Sequence, residues 1–201
     1  MTDPDPLSTV IPRPAASLVV LRDDGTVLMG MRGARHRFMP NRLVFPGGAV
    51  DPADHDAAPA TPLRADVLHR LEKSATPTLA RALGIAAARE LEEETGLTLG
   101  MPPELDGLDY LCRAVTPEPS PVRFDARFLV VEADRISGQL AGSGELESLR
   151  WWGIEEALAI DLAGPQRRVL DRLRLWMAMS EAERRAQTEV AVLFNRDWEK
   201  E

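Results

Sequence analysis

Cysteine is nearly absent: Cys112 is the only one in 201 residues, so no intrachain disulfide can form and a reducing compartment is expected. No apolar run approaches the roughly 18 residues of a membrane-spanning helix. The start of the chain, Thr2-Asp3-Pro4-Asp5-Pro6, has no basic stretch leading into an apolar one. A signal peptide is therefore not expected, and the expected location is cytoplasmic, with no membrane partner. Positive charge is in deficit, with 24 Lys+Arg against 32 Asp+Glu and a net charge of −8. Aromatic residues make up only 5%. Nucleic-acid polymers need a basic surface, so they are not expected partners. His36, His55 and His69 lack metal-ligand spacing, and no Ser/His/Asp arrangement has local support. A phosphate-handling role would require imported positive charge.

The ordered part begins after a proline-rich lead-in, residues 1–12. Ala15–Leu21 and Val27–Arg32 flank the turn Asp23-Asp24-Gly25-Thr26 and predict a β-hairpin. Leu43-Val44-Phe45 reads as a short strand stopped by Pro46-Gly47-Gly48, and residues 51–62 as a loop. Leu63–Ser74 has helical spacing. Thr78–Thr95 is the strongest helix, opened by Thr76-Pro77 and closed by Gly96, with Gly84 as a point where it can divide. Strands are expected over Leu108–Val115, Arg123–Glu132 and Leu149–Trp152. Helices are expected over Ile154–Ala159, Pro165–Met179 and Glu181–Leu193. Leu175, Trp176, Met177 and Met179 suit packing onto the parent domain or, as the weaker option, a homodimer face. Alternating strands and helices without a linker predict one α/β (α+β) unit over residues 13–201.

Chemistry concentrates in Arg89-Glu90-Leu91-Glu92-Glu93-Glu94-Thr95-Gly96-Leu97. On a helix, Glu90, Glu93 and Glu94 share a face about 100° wide. Like charges at these spacings repel, so the face costs stability unless cations occupy it. Hard divalent ions such as Mg²⁺ or Mn²⁺ prefer carboxylate and water oxygens. Three glutamates in isolation usually make only a solvated acidic face. Upstream, Phe45-Pro46-Gly47-Gly48 ends a strand in a glycine turn where backbone can approach a metal or phosphate.

Together these segments resemble the Nudix hydrolase family. Its box reads Gly, five residues, Glu, seven residues, then Arg-Glu-hydrophobic-x-Glu-Glu-x-Gly-hydrophobic. Arg89–Leu97 matches the second half in full. The first half starts at Gly48, but Asp54 stands where the family has Glu, and 34 residues separate Asp54 from Arg89. The resemblance therefore carries an insertion of about 27 residues within residues 55–84. It implies an α/β/α sandwich with a mixed β-sheet, a helical insertion inside the box and a C-terminal helical extension over about 164–194. It also implies that Glu90, Glu93 and Glu94 hold Mg²⁺ or Mn²⁺ with help from the Gly48 carbonyl. Arg89 would orient a ligand carboxylate through a bidentate pair.

The family hydrolyses a nucleoside diphosphate linked to another moiety. A box glutamate, or Glu145 or Glu147 in the following loop, would take the proton from water; both loop residues also read as a solvated turn. Residues 28–50 contain Arg32, Arg35, Arg37 and Arg42 and no acid, a +4 window in a −8 chain. Arg32, Arg37 and Arg42, beside Gly47 and Gly48, are expected to bind substrate phosphates. Leu28-Met29-Gly30-Met31-Arg32-Gly33, then Arg37, Asn41 and Phe45-Pro46-Gly47-Gly48, partly match the element of Nudix enzymes acting on coenzyme A. Arg123-Phe124-Asp125-x-Arg127-Phe128 is also similar to that branch. Coenzyme A or acyl-coenzyme A is thus the expected substrate, giving 3′,5′-ADP and (acyl-)4′-phosphopantetheine. ADP-ribose, dinucleoside polyphosphates and damaged nucleoside triphosphates are the alternatives, and a non-catalytic nucleotide sensor is the competing class. Asp125, Trp151 and Trp152 read as strand packing more readily than as pocket lining, and Cys112 as a small core residue.

Overall fold

The computed structural model describes residues 10–33, 41–160, 162 and 164–201. The expected hairpin forms from β1 (Arg13–Leu21) and β2 (Thr26–Arg32), with Leu21 opposite Val27. Asp24 closes its turn by accepting from the Thr26 amide at 2.9 Å. Next come β3 (Leu43–Val44) and β4 (Gly47–Ala49). The segment expected to be a loop contains a short helix, α1 (Pro52–Asp56). Its periodicity was too brief to read, and a capping box between Asp51 and Asp54 supplies the local stabilisation instead. Helix α2 (Ala65–Leu71) lies within the inserted segment.

Helix α3 (Pro77–Thr95) is continuous through Gly84. Thr76 caps it by accepting from the Leu79 amide at 3.2 Å, and Gly96 ends it in the left-handed conformation at φ 74°. Gly84 does not divide the helix because it is packed: a Cβ there would touch Leu105 at 3.0 Å. Buried Ala80, Ala82, Ala86 and Ala87 let α3 approach closely, and fully buried Leu83 and Leu91 supply its anchors. Each such leucine contributes about 1.5–3 kcal/mol through burial.

Downstream lie β5 (Leu97–Thr98), β6 (Asp109–Val115), β7 (Phe124–Glu132), β8 (Ser137–Gly138) and β9 (Leu146–Gly153). Helices α4 (Ile154–Leu158), α5 (Gly164–Met177) and α6 (Glu181–Arg185) follow. The expected helix over Glu181–Leu193 is corrected: it stops after one turn, and β10 (Ala191–Phe194) and β11 (Asp197–Lys200) take over as a hairpin. Val190, Val192 and Leu193 are buried against the sheet, and strand pairing with β6 overrides the local helical signal.

The main sheet runs β11-β10-β6-β7-β1-β2-β3, with β4 on β1 and β9 on β2. It is mixed, since β1–β7 and β6–β10 are parallel and the other pairs antiparallel. One apolar core joins the sheet to α2 and α3, and a second joins its other face to α4 and α5. This is the expected α/β/α sandwich.

Two buried arginines fasten the inserted segment to the sheet. Arg70 on α2 donates to the Tyr110 carbonyl at 2.7 Å and pairs with Asp109. Arg127 on β7 donates to the Ser74 carbonyl at 2.9 Å and pairs with Asp125 at 2.8 Å. Asp125 also takes a two-point contact from Arg113, so it serves strand cross-linking. Trp152 is buried with its indole donating to the Met29 carbonyl, while Arg22 stacks over Trp151. Cys112 is fully buried, and that burial pushes its thiol up to about 12, as expected of an inert core residue. Trp176 and Met177 pack into the second core, whereas Leu175 is exposed. Among the described residues, no helix is long and apolar enough to cross a membrane.

Candidate active site

The glutamate-bearing end of α3 lies against the glycine turn that starts β4. Glu94 is buried, and its Oε2 accepts from the Gly47 amide at 2.8 Å. Its Oε1 faces the Arg32 guanidinium at 3.9 Å, and Arg32 also donates to the Gly47 carbonyl at 3.4 Å. Burial pushes the Glu94 carboxyl up to about 7; the Gly47 hydrogen bond opposes the shift, and the neighbouring Glu90 adds to it. Glu90 is likewise raised by burial, opposed by Arg89 and reinforced by Glu93 and Glu145. The Glu90 carboxylate fills the space beside Gly48, where any Cβ would collide with it. A Cβ on Gly47 would collide with the Ala16 carbonyl and the Ser17 backbone. Gly47 is thus required by close approach to backbone, whereas a side chain at Gly48 would displace the Glu90 carboxylate.

Arg89 distributes all its donors over this cluster. Its Nε and one terminal nitrogen hold both oxygens of Asp54, at 3.0 and 3.1 Å. Its other terminal nitrogen contacts Glu90 and Glu93, each at 2.9 Å, while the nitrogen on Asp54 also donates to the Ala49 carbonyl at 3.1 Å. Burial alone would lower its pKa, but Asp54 and Glu90 outweigh that and raise it. The bidentate partner of Arg89 is therefore Asp54, with single contacts to the box glutamates, a correction to the expected bidentate pair with a ligand carboxylate. Asp54 is buried and simultaneously caps α1 by accepting from the Asp51 amide at 2.7 Å. Despite the long insertion, Asp54 returns to the foot of α3.

Glu93 is more exposed than its two partners. Glu145 is exposed, yet its negative charge reaches both Glu90 and Glu94. Glu147 is exposed on β9 opposite Met31. Arg42 has contacts of its own, and Arg37, Arg35 and His36 lie outside the described residues.

A cavity of about 610 Å³ opens beside the glycine turn. Its near end is Arg32, Gly47 and Gly48, and its apolar wall includes Phe45, Val115, Phe124 and Phe128. Its far end is formed by Gln166, Arg168, Asn195 and Arg196. None of these four was singled out by the sequence: Gln166 and Arg168 sit in an expected helix with no motif around them, and Asn195-Arg196 lies just past the helix expected over Glu181–Leu193. The available signal is Asn195-Arg196 itself: both residues adopt left-handed φ angles, 47° and 78°, as a tight β-turn requires.

Residues 82–173 match the family description "NUDIX domain". That segment is similar to the NUDIX domain. Among solved structures, a NUDIX hydrolase from Alicyclobacillus acidocaldarius is similar at 27% identity and a TM-score of 0.63, covering 82% of this chain and 91% of that one. A MutT NUDIX hydrolase from Burkholderia pseudomallei shares the fold at 21% identity and a TM-score of 0.56, covering 82% and 99%. The NUDIX domain of Shewanella oneidensis NrtR, complexed with ADP ribose, shares it at 17% identity and 0.50, covering 88% and 95%. No curated protein matches the chain. The matched segment and the 27%-identical hydrolase neighbour support a hydrolase.

Nudix hydrolases generally use divalent metal ions. Among the described residues, no group of three or more His, Cys, Asp or Glu side chains is gathered tightly enough to hold one. Arg89 spans Glu90 and Glu93 instead. The donor chemistry nevertheless fits a hard cation. Glu94, buried, and Glu90, half-buried, are oxygen donors whose carboxyls are both raised, first by burial and then by neighbouring carboxylates, so a cation beside them would be favoured.

Proposed function

We propose that the protein hydrolyses a nucleoside diphosphate linked to another moiety, with coenzyme A or acyl-coenzyme A as substrate. The observation that carries this reading is the adjacency of two unlike regions across Gly47-Gly48. On one side is the carboxylate face of α3, and on the other a cavity with Arg32 at its edge and no Asp or Glu among its described lining residues. A diphosphate lying over the turn would have its anionic oxygens between Arg32 and the carboxylate face, with its organic part in the cavity. A Mg²⁺ or Mn²⁺ ion held by Glu90, Glu93, Glu94 and the Gly48 carbonyl would supply charge neutralisation and a more acidic water.

The protein's own groups do the rest. Gly47 donates to Glu94 and fixes the distance between turn and helix. Arg89 holds Glu90 and Glu93 in register, itself anchored by Asp54. Glu145, whose charge already reaches the cluster, takes the water proton in this reading; Glu147, farther along β9, is the second candidate. Attack on phosphorus then releases 3′,5′-ADP and 4′-phosphopantetheine from coenzyme A. The coenzyme A preference is supported by the Arg32 to Gly48 sequence element and by a cavity of the size that holds a drug-sized ligand.

The test is incubation of purified protein with coenzyme A and Mg²⁺, followed by chromatography of the products. The reading expects 3′,5′-ADP and 4′-phosphopantetheine. Absence of cleavage of coenzyme A and acetyl-coenzyme A, alongside cleavage of ADP-ribose or a diadenosine polyphosphate, would move the substrate to those alternatives.

A further inference from the structure

One polar group interrupts an apolar strand face at the floor of the cavity. On β1, alternation puts Ala15, Ser17, Val19 and Leu21 on the face that carries the second core. Val19 and Leu21 are buried in that core and Ala15 lines the cavity, so the strand pattern favours another apolar side chain at position 17. Ser17 stands there instead, in register between Gly47 of β4 and buried Phe128 of β7. It is half-buried, and among the described residues its hydroxyl has no hydrogen-bond partner. The oxygen is not sealed off, and it is reachable from the cavity that Ser17 lines.

The hydroxyl sits against the glycine turn. A Cβ at Gly47 would lie 2.7 Å from Ser17 Oγ, so the missing side chain leaves that oxygen uncovered. The same Gly47 peptide donates its amide to Glu94 and accepts from Arg32. Its amide is therefore engaged, and the Ser17 O–H is a donor still available at the same point. Solvent in the cavity can satisfy that donor. A ligand that fills the cavity expels the solvent, and the hydroxyl is then stranded unless the ligand brings an acceptor to it.

We propose that Ser17 is a substrate-binding residue, whose hydroxyl donates to a non-bridging oxygen of the phosphoryl group joined to the moiety in the cavity. Arg32, on the same turn, supplies charge, and Ser17 supplies the directional contact. This deepens the function proposed above and rests on its placement of the diphosphate over Gly47-Gly48. The contact favours phosphate esters over ligands that bring carbon to that point. The nucleotide half and the phosphopantetheine half of the substrate both carry such a group, and separate probes tell them apart.

The test is calorimetric titration of the unaltered protein and of Ser17→Ala, in Mg²⁺, with ADP and with 4′-phosphopantetheine. The probe whose organic part occupies the cavity should bind Ser17→Ala about tenfold more weakly, the scale of one hydrogen bond to a charged group. On any diphosphate the protein cleaves, KM should rise about tenfold while kcat stays within about twofold. Because the hydroxyl pairs with no described group, the Tm of Ser17→Ala should not fall. Affinities within about twofold of the unaltered protein for both probes would overturn the proposal. So would weaker binding accompanied by a lower Tm, which marks a structural serine, or binding of neither probe by the unaltered protein. Failure here is separable from failure of the hydrolase reading. Cleavage of a diphosphate with unchanged KM in Ser17→Ala would retain hydrolysis and remove the contact. Weaker probe binding by Ser17→Ala in a protein that cleaves no diphosphate would do the reverse.

Discussion

The Glu94 carboxylate accepts the Gly47 amide at 2.8 Å, joining the last turn of α3 to a strand start 47 residues earlier. That bond sets how closely the acidic helix approaches the glycine turn. It also makes one buried carboxyl report on both the fold and the site.

Glu94 should make stability depend on pH in the absence of divalent metal. Its ordinary carboxyl value is 4.5, and burial raises it to about 7 in the folded protein. The folded state therefore holds this proton to higher pH than the unfolded state does. Its contribution is fully present below about 4.5 and is lost as pH rises through about 7. The loss is on the order of 3 kcal/mol. Thermal melts in EDTA should show Tm falling over that window, with Glu94→Gln flattening the fall. Mg²⁺ at pH 8 should raise Tm in the unaltered protein and much less in Glu94→Gln, since a ligand bound only to the folded state stabilises it.

Gly48→Ala tests the close approach. Its Cβ would collide with the Glu90 carboxylate. The carboxylate is the far end of a flexible side chain and can move aside, so stability should change by less than about 1 kcal/mol in denaturant titration, while displacement of Glu90 lowers turnover at least tenfold. Gly144→Ala is the contrast, because nothing lies within 4 Å of a Cβ there, although its φ of 94° carries strain. That variant should lose stability without a comparable loss of turnover.

Asp54→Asn removes the charge opposite Arg89 while retaining the shape. Asp54 is buried and engages Arg89 at two points, so destabilisation of about 2–3 kcal/mol is expected, a Tm decrease of roughly 5–10 °C. Arg89 would be left with Glu90 and Glu93 as its charged partners, and turnover should fall with the misplaced glutamates. An unchanged Tm would show that the pair contributes no net stability.

The metal-type helix was legible because each of its signals is local. Thr76 caps it, Gly96 ends it, and Glu90, Glu93 and Glu94 share a face by spacing alone. The return of Asp54 to Arg89 was not legible, because an insertion moves the partner 35 positions away and only tertiary packing brings it back. The β10–β11 hairpin was missed for a related reason. Its strands are four residues each, too short for periodicity to outweigh the helix-favouring run before them, and β10 is held by long-range pairing with β6. With that hairpin went the far wall of the cavity, including Asn195 and Arg196.

The most direct test of the central claim compares the unaltered protein with Glu93→Gln and Glu94→Gln. Each would be assayed with Mg²⁺ or Mn²⁺ on coenzyme A, acetyl-coenzyme A, ADP-ribose and diadenosine polyphosphates. A hydrolase working at the α3 carboxylate face should cleave at least one diphosphate. Both variants should then fall at least about 100-fold in turnover, the size of losing a positioned charged group, while their circular dichroism is unchanged. Equal turnover by the variants and the unaltered protein on every diphosphate cleaved would contradict it.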